Sequence, residues 1–151
     1  MTESPPTSIN LERAAHKKLH TLLTGCGGTF PIQQLPQHEV TQSQSAIHDA
    51  VIKAANERKF MVEKDTPSSV ALVYPPVNHG KYIQFHARYR VDIGPHSYEV
   101  KYIDSMGLDV SKCTQPAFED KLCGHRKVNQ WQLMLDQAIE NHLAYKEPAK
   151  K

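Results

Sequence analysis

The sequence predicts an α+β domain, a two-layer sandwich in which two helices cover one face of a four-stranded antiparallel sheet. The central part of the chain alternates apolar and polar side chains at a period of two, as strands with one buried face do. Segments on either side place apolar residues three and four positions apart, which is the spacing of one helical face. Packing the apolar stripes of the helices on the apolar face of the sheet buries both surfaces. Along the chain, the elements are expected in the order α-β-β-β-β-α.

Length and composition narrow the class of protein. The chain has 151 residues, which predicts a single domain, and its formal net charge of +2 does not indicate a nucleic-acid partner. Hydrophobic residues make up 39% of the chain, too many for a disordered protein. No apolar run approaches the ~20 residues that a membrane-spanning helix needs. Polytopic membrane proteins are therefore excluded.

Residues 1–25 form an N-terminal segment with two interpretations. Apolar side chains follow helical spacing over residues 10–24, which predicts an amphipathic helix that ends at Gly25. Alternatively, Leu23-Thr24-Gly25-Cys26 has the pattern of a lipobox after a degenerate signal segment, with the Cys26 thiol as the lipid-bearing group. The apolar stretch before this cysteine is shorter and more polar than a secretory signal requires, so these residues alone favour the helix.

Residues 26–42 are expected to form an extended linker, because their glycines, prolines and glutamines show no periodicity. At ~3 Å per residue this linker would reach on the order of 50 Å. The single α+β domain is expected over residues 43–146, followed by a tail at 147–151.

Within the domain, the first helix is expected to begin near Ser43 or Ser45, where an alanine-rich apolar stripe starts. The last helix is expected over residues 127–145, with Trp131 in its apolar stripe. Residues 104–124 show no regular pattern and are expected to be irregular. Four strands are predicted between the two helices, at 60–64, 70–74, 83–93 and 98–102.

The third and fourth strands are predicted to form a hairpin around Gly94-Pro95-His96. The side chains expected on the core face of the third strand are Ile83, Phe85, Ala87, Tyr89, Val91 and Ile93. The opposite face carries a candidate interaction face for an anionic partner, made of His86, Arg88, Arg90 and Lys101. Asp92 and Glu99 lie on the same face, so ordinary cross-strand ion pairing is the alternative, and it is favoured.

Several short motifs occur in the order found in one protein family. The matching pieces are Thr29-Phe30-Pro31-Ile32, Ala46-Ile47-His48-Asp49-Ala50, the hairpin, Tyr102 with Ser105 and Leu108, and His125 with Asn129 and Trp131. Through these pieces, residues 26–143 resemble a family of small bacterial lipoproteins of unassigned activity. Val128 stands where that family usually has tyrosine.

The resemblance implies lipidation at Cys26 and a location in the bacterial cell envelope, either the outer membrane or the periplasm. Gly27 after this cysteine is compatible with outer-membrane sorting. The implied function is a non-enzymatic interaction or structural module, held to the membrane by its lipid, with an anionic or protein partner in the envelope. No cofactor, catalytic residue or nucleic-acid partner is expected.

Cys113 and Cys123 fit an exported protein, because acylation of Cys26 leaves an even pair for an oxidising compartment. A disulfide between them is favoured over two free thiols. Metal binding with His125 is the third alternative, but the spacing matches no common zinc pattern, so no metal site is expected.

Two other functions remain open at this point. The chain is alternatively a soluble cytosolic protein-interaction domain, with residues 10–24 as a docking helix and its cysteines free. A small hydrolase built on Ser105 and His125 comes third, because no glycine elbow or oxyanion loop surrounds the serine.

Overall fold

The computed structural model describes residues 28–76 and 84–144, and within these ranges the chain is an α+β fold with two helices and antiparallel sheets. A five-stranded sheet has the order β2-β6-β5-β4-β3, and a three-stranded sheet has the order β1-β8-β7. The single four-stranded sheet expected from the sequence is therefore wrong in detail. The elements are β1 (Phe30–Pro31), β2 (His38–Glu39), α1 (Gln44–Glu57), β3 (Met61–Thr66), β4 (Ser69–Tyr74), β5 (His86–Ile93), β6 (Ser97–Met106), β7 (Ser111–Lys112), a 3₁₀ turn (Pro116–Phe118), β8 (Leu122–Gly124) and α2 (Arg126–Ala144).

Helix α1 begins where the sequence predicted. The Ser43 hydroxyl accepts a hydrogen bond from the Ala46 amide at 3.2 Å, which satisfies one of the amides that the first helical turn leaves unpaired. The helix ends at Glu57, and Lys59 follows in the left-handed region at φ 67°. The alanine-rich face of α1 is buried, and its buried residues are Ile47, Ala50, Val51, Ala54 and Ala55.

One hydrophobic core joins the helices to the five-stranded sheet. Cross-strand pairs such as Leu72 with Tyr89 and Val91 with Val100 present apolar side chains to the helices. Leu135 and Ile139 of α2 are fully buried in the same core. The alternating pattern in the sequence therefore identified the buried face of the central strands.

Aromatic side chains fix the position of α2. Trp131 packs against Tyr74 with ring centroids 4.8 Å apart, and Tyr74 in turn packs against Phe60 at 4.8 Å. The buried Tyr89 hydroxyl donates a 2.7 Å hydrogen bond to the Val128 carbonyl at the start of the helix. Burial raises the pKa of Tyr89, and the nearby Tyr102 adds to the increase, so this hydroxyl stays protonated and keeps its donor role.

The third predicted strand begins later in the structure than the sequence indicated. Phe85 was expected in the core but is 53% exposed, whereas His86 was expected in solvent and is 3% exposed. Strand β5 begins only at His86, and an alternating sequence specifies two faces only where the chain is paired as a strand. Phe85 lies instead beside Gly107, whose φ is +74° and where an added Cβ would come within 2.6 Å of the Phe85 ring. Ile83 lies outside the described residues.

Residues 28–42 are not a free linker. Phe30 pairs with Gly124 and His38 pairs with Tyr98, so this stretch joins both sheets. Its apolar side chains Ile32, Leu35 and Val40 pack against the core. Single apolar residues at irregular spacing carry no periodic signal, which is why the sequence did not reveal this docking. The folded body thus extends at least from Gly28, rather than from residue 43.

Residues 104–124 are more regular than expected. Strand β6 continues to Met106, and β7 and β8 form an antiparallel pair with Ser111 opposite Cys123. Strands of two and three residues are too short to leave a recognisable alternation in the sequence. The expected N-terminal segment 1–25 and the tail at 147–151 lie outside the described residues, and so does Cys26.

Candidate functional site

The candidate basic face is a network of ion pairs. Arg88 binds Glu63 at 3.1 Å and Asp104 at 3.2 Å. Each of these contacts joins a side chain of β5 to a side chain of a different strand. Arg88 is therefore paired with two carboxylates.

The other two cations share one carboxylate. Arg90 binds Asp92 at 2.7 Å, and Lys101 binds the second oxygen of Asp92 at 3.2 Å and Glu99 at 4.0 Å. Burial alone would raise the pKa of Asp92, but hydrogen bonds and positive charge from Arg90 and Lys101 outweigh it and hold the pKa below its usual value. The carboxylate therefore stays ionised and compensates both cations.

The cross-strand pairing expected as the ordinary alternative is thus what the structure contains. Arg88, Arg90 and Lys101 do share the outer sheet face, with Arg90 directly opposite Lys101. His86 does not belong to this exposed group, because it is 3% exposed. A face whose cations are matched by neighbouring carboxylates presents little net positive potential to an anionic partner.

The serine and histidine considered for a hydrolase make local contacts. The hydroxyls of Ser105 and Tyr102 share a hydrogen bond of 2.7 Å. The His125 ring accepts a hydrogen bond from the Lys127 amide at 3.1 Å, at the start of α2. Among the residues that the structure describes, no group of three or more histidine, cysteine or acidic side chains is placed to hold a metal ion.

Three histidine–carboxylate pairs in the part of the chain that the structure describes, which sequence reasoning missed, join separate elements. His38 of β2 donates to both oxygens of Asp136 on α2, at 3.1 and 3.2 Å. Burial raises the pKa of Asp136, while the charge and hydrogen bond of His38 offset part of the increase. The other two pairs connect α1 with β3, through His48 and Asp65, and α1 with α2, through Glu57 and His142.

The residues 31–35, which we call the strap, are held by side chains of α2. Asn129 accepts a 2.8 Å hydrogen bond from the Gln33 amide and donates one of 2.8 Å to the Pro31 carbonyl. Gln132 donates to the Gln33 carbonyl at 2.8 Å. The Ile32 amide donates to the Leu122 carbonyl at 2.8 Å. These bonds attach the strap backbone to α2 and β8.

The strap borders a groove of about 890 Å³, which we call the strap groove. It is lined by β6 residues from Glu99 to Tyr102, by the strap, and by a loop wall of residues 119–122. Gln132 also lines this groove; it is 1% exposed, and its Oε1 atom has no hydrogen-bond partner among the described residues. A buried polar atom without a partner is uncommon in folded proteins and marks a place where a donor is missing.

A disulfide crosslinks the ends of the loop that carries residues 119–122. The structure joins Cys113 to Cys123, as the sequence predicted, with Cα atoms 5.0 Å apart. The bond links β7 to β8, and β8 pairs with β1 at the start of the strap. The disulfide therefore supports the segment that carries residues 119–122.

The motif residues behind the family resemblance make structural contacts in several parts of the fold. Asn129 binds the strap, Trp131 packs on Tyr74, and Tyr102 lines the groove wall. Leu108 is buried, and its carbonyl accepts a 2.8 Å hydrogen bond from the His125 amide. These contacts fix the strap, the groove and the last helix relative to one another.

A scan of the chain against protein-family models produced no match. A search of curated proteins likewise found no protein that matches it. In the part of the chain that the structure describes, no helix combines the length and the apolar character that crossing a membrane requires.

Proposed function

We propose that this chain is a lipid-anchored, non-enzymatic domain of the bacterial cell envelope, and that it acts as an interaction module. The observation that carries the proposal is the division of its three cysteines. Cys113 and Cys123 form a disulfide, which is typical of oxidising compartments. Cys26 is left over, directly after Leu23-Thr24-Gly25, in the position of a lipid-bearing residue.

The position of β1 determines how such an anchor would hold the domain. Strand β1 begins at Phe30, four residues after Cys26, and pairs with Gly124. At ~3.5 Å per residue this distance is at most about 14 Å, instead of the ~50 Å of a free linker. A lipid on Cys26 would therefore keep the three-stranded sheet close to the membrane, so partners would be met near the bilayer surface.

An interaction role fits the described contacts better than catalysis does. The Ser105 hydroxyl is bound to Tyr102 and the His125 ring to the Lys127 amide, so each of these side chains has a local structural partner. These local contacts support structural roles for both side chains, and the strap groove of about 890 Å³ offers a concave surface to a partner.

The mass of the intact protein tests the anchor. The full chain is expressed in a Gram-negative bacterium and recovered from the membrane fraction with detergent. We expect loss of residues 1–25 and addition of acyl chains at Cys26, whereas Cys26→Ser should remain unprocessed. A mass equal to the full chain in the soluble fraction would overturn the anchor. That result would favour the cytosolic interaction domain with residues 10–24 as a docking helix.

A further inference from the structure

The described methionines differ in how far their side chains reach the solvent. Met106, at the end of β6, is 59% exposed, the largest value among the exposed large apolar side chains of the described residues. Met61 of β3 is partly buried, and Met134 of α2 is partly buried and packs against the hydrophobic core. A thioether must meet a dissolved oxidant to react with it. Exposure is therefore expected to set the order in which the three sulfur atoms are oxidised.

The fold holds Met106 at the surface. This residue lies opposite His86 in the last pair between β5 and β6, so its backbone is fixed by the sheet. Asp104 and Met106 are two residues apart on one strand, so both side chains project from the outer face of the sheet, away from the helices. Gly107 follows in the left-handed region at φ 74° and ends the strand. The exposure of Met106 is therefore a property of a paired strand.

The other sulfur atoms in the described ranges are less available to an oxidant. Cys113 and Cys123 are joined in a disulfide, so neither is a thiolate that would react before a thioether. Cys123 is also buried. Among the residues that the structure describes, Met106 is therefore the sulfur-containing residue that a dissolved oxidant meets first.

The surroundings of Met106 also determine what oxidation does to the fold. A sulfoxide is polar, and in the core it would disturb packing and need a hydrogen-bond donor. At Met106 the added oxygen meets water, so the packing of the helices on the sheet is kept. The exposed Phe85 ring lies against Gly107, the residue after Met106. Oxidation would therefore make an apolar part of the surface more polar.

We propose that Met106 is a reversible oxidation site, which reacts with a two-electron oxidant such as hydrogen peroxide while the domain stays folded. A lone pair of the sulfur attacks one peroxide oxygen, and the S–O bond forms as the O–O bond breaks. The departing hydroxide takes the proton of the transferred hydroxyl and leaves as water, so the sulfur loses two electrons and the peroxide is reduced. Methionine sulfoxide reductases reverse the step with two thiols, which become a disulfide as the oxygen leaves as water.

This proposal goes beyond the interaction role and does not depend on lipid attachment. Its test uses the full chain with Cys26→Ser, because the substitution removes the cysteine outside the disulfide and so keeps a thiol from consuming the oxidant. Failure of the proposal would leave the mass test of the anchor unaffected.

Oxidation by hydrogen peroxide, followed over time, measures the three rates. Trypsin puts Met61, Met106 and Met134 on separate peptides, because lysines flank each of them, and mass spectrometry gives the oxidised fraction of each peptide. We expect Met106 to be oxidised at least about tenfold faster than Met134, and faster than Met61. Equal rates for the three residues, or a faster reaction at Met61 or Met134, would overturn the proposal.

Unfolding provides the control for this comparison. In concentrated urea the three methionines should react within about twofold of one another, because each side chain is then solvated. Rates that keep their folded order in urea would mean that neighbouring residues in the sequence, rather than the fold, decide the reactivity. That outcome would contradict the proposed site.

Variants and a reductase locate the reaction and test its reversal. Met106→Leu should abolish the fastest reaction, whereas Met61→Leu, the matched control, should leave it unchanged. Protein oxidised at Met106 alone should keep the urea midpoint of the untreated protein, and the two stereospecific reductases together should remove the added oxygen from the folded chain. A fast reaction that persists in Met106→Leu, a lowered midpoint, or an oxygen that the reductases leave in place would overturn the proposal.

Discussion

The outer sheet face and the strap groove differ in how their polar groups are satisfied. On the outer face, Arg88, Arg90 and Lys101 each have a carboxylate partner within 3.2 Å. In the groove, the Gln132 Oε1 atom is buried and has no partner among the described residues, and no strand in the described ranges pairs with this side of β6 beyond Tyr98. The cations that form the candidate interaction face in the sequence are therefore already neutralised by neighbouring carboxylates in the fold. The unpartnered Oε1 belongs to a helix whose apolar stripe gives no sign of it.

The largest expected effect concerns the disulfide between Cys113 and Cys123. Replacing Cys113 and Cys123 together by serine should lower the free energy of unfolding by about 2–3 kcal/mol, because the unfolded chain regains the freedom that the closed loop denies it. Urea unfolding measures the loss. Dithiothreitol should shift the wild-type midpoint by the same amount and leave the double variant unchanged. An unchanged wild-type midpoint on complete reduction would show that the disulfide contributes nothing.

The next effect compares two neighbouring amides of α2. Asn129→Ala leaves the Gln33 amide and the Pro31 carbonyl without their partners and should cost about 2 kcal/mol. Gln132→Met loses one hydrogen bond but also removes the unpartnered Oε1, so it should cost less than about 1 kcal/mol. Denaturant melts of both variants check the difference. Equal losses would mean that the Oε1 atom has a partner in solution.

A smaller effect is expected in the pH dependence at Asp136. Its pKa is raised in the folded state, mainly by burial. The contribution of this carboxyl to stability is therefore fully present below the unfolded pKa of about 3.9. It is lost as pH rises through the folded pKa. Asp136→Asn should therefore gain stability relative to the wild type as pH increases through this range. Urea midpoints measured every half unit from pH 3 to 6 give the difference.

The charge of Glu140 provides the control for that profile. This charge raises the pKa of Asp136, so Glu140→Gln should bring the pKa closer to its ordinary value and reduce the pH-dependent loss. His38 acts in the opposite direction, because its charge and hydrogen bond lower the same pKa. A difference between Asp136→Asn and the wild type that falls with increasing pH would contradict the assignment.

The smallest effect belongs to the outer face. Arg90→Ala removes a half-exposed ion pair with Asp92 and should change the free energy of unfolding by less than about 1 kcal/mol. The difference should shrink further in ~1 M salt, where charges on the surface are screened. A loss as large as that of Asn129→Ala would mean that the outer face, rather than the strap, supports the fold.

The sequence predicted the parts of the fold that are periodic. The stripe from Ile47 to Ala55 and the alternation from Ala87 to Ile93 each specify an element and its buried face. Trp131 was placed correctly in the last helix, where it packs against Tyr74. The favoured pairing of Cys113 with Cys123 is also confirmed.

The candidate site was predicted poorly, because its parts are distant along the chain. The strap is bound by Asn129 and Gln132, which lie almost a hundred residues after Gln33. Within α2, these two amides look like solvent-facing residues of an amphipathic helix. The sequence therefore offered the outer cations as a candidate interaction face, with ordinary ion pairing favoured, and it took the strap for a linker.

The sequence by itself determined the helices, the central strands and the cysteine pair, because each depends on residues close together or on a regular period. Tertiary structure alone decided that residues 28–42 pack on the domain, that His86 is buried while Phe85 is exposed, and that the edge of β6 faces a groove. Local periodicity specifies which face of an element is apolar. Which distant segment covers that face, and which polar groups are left without partners, depends on the packing of the whole chain.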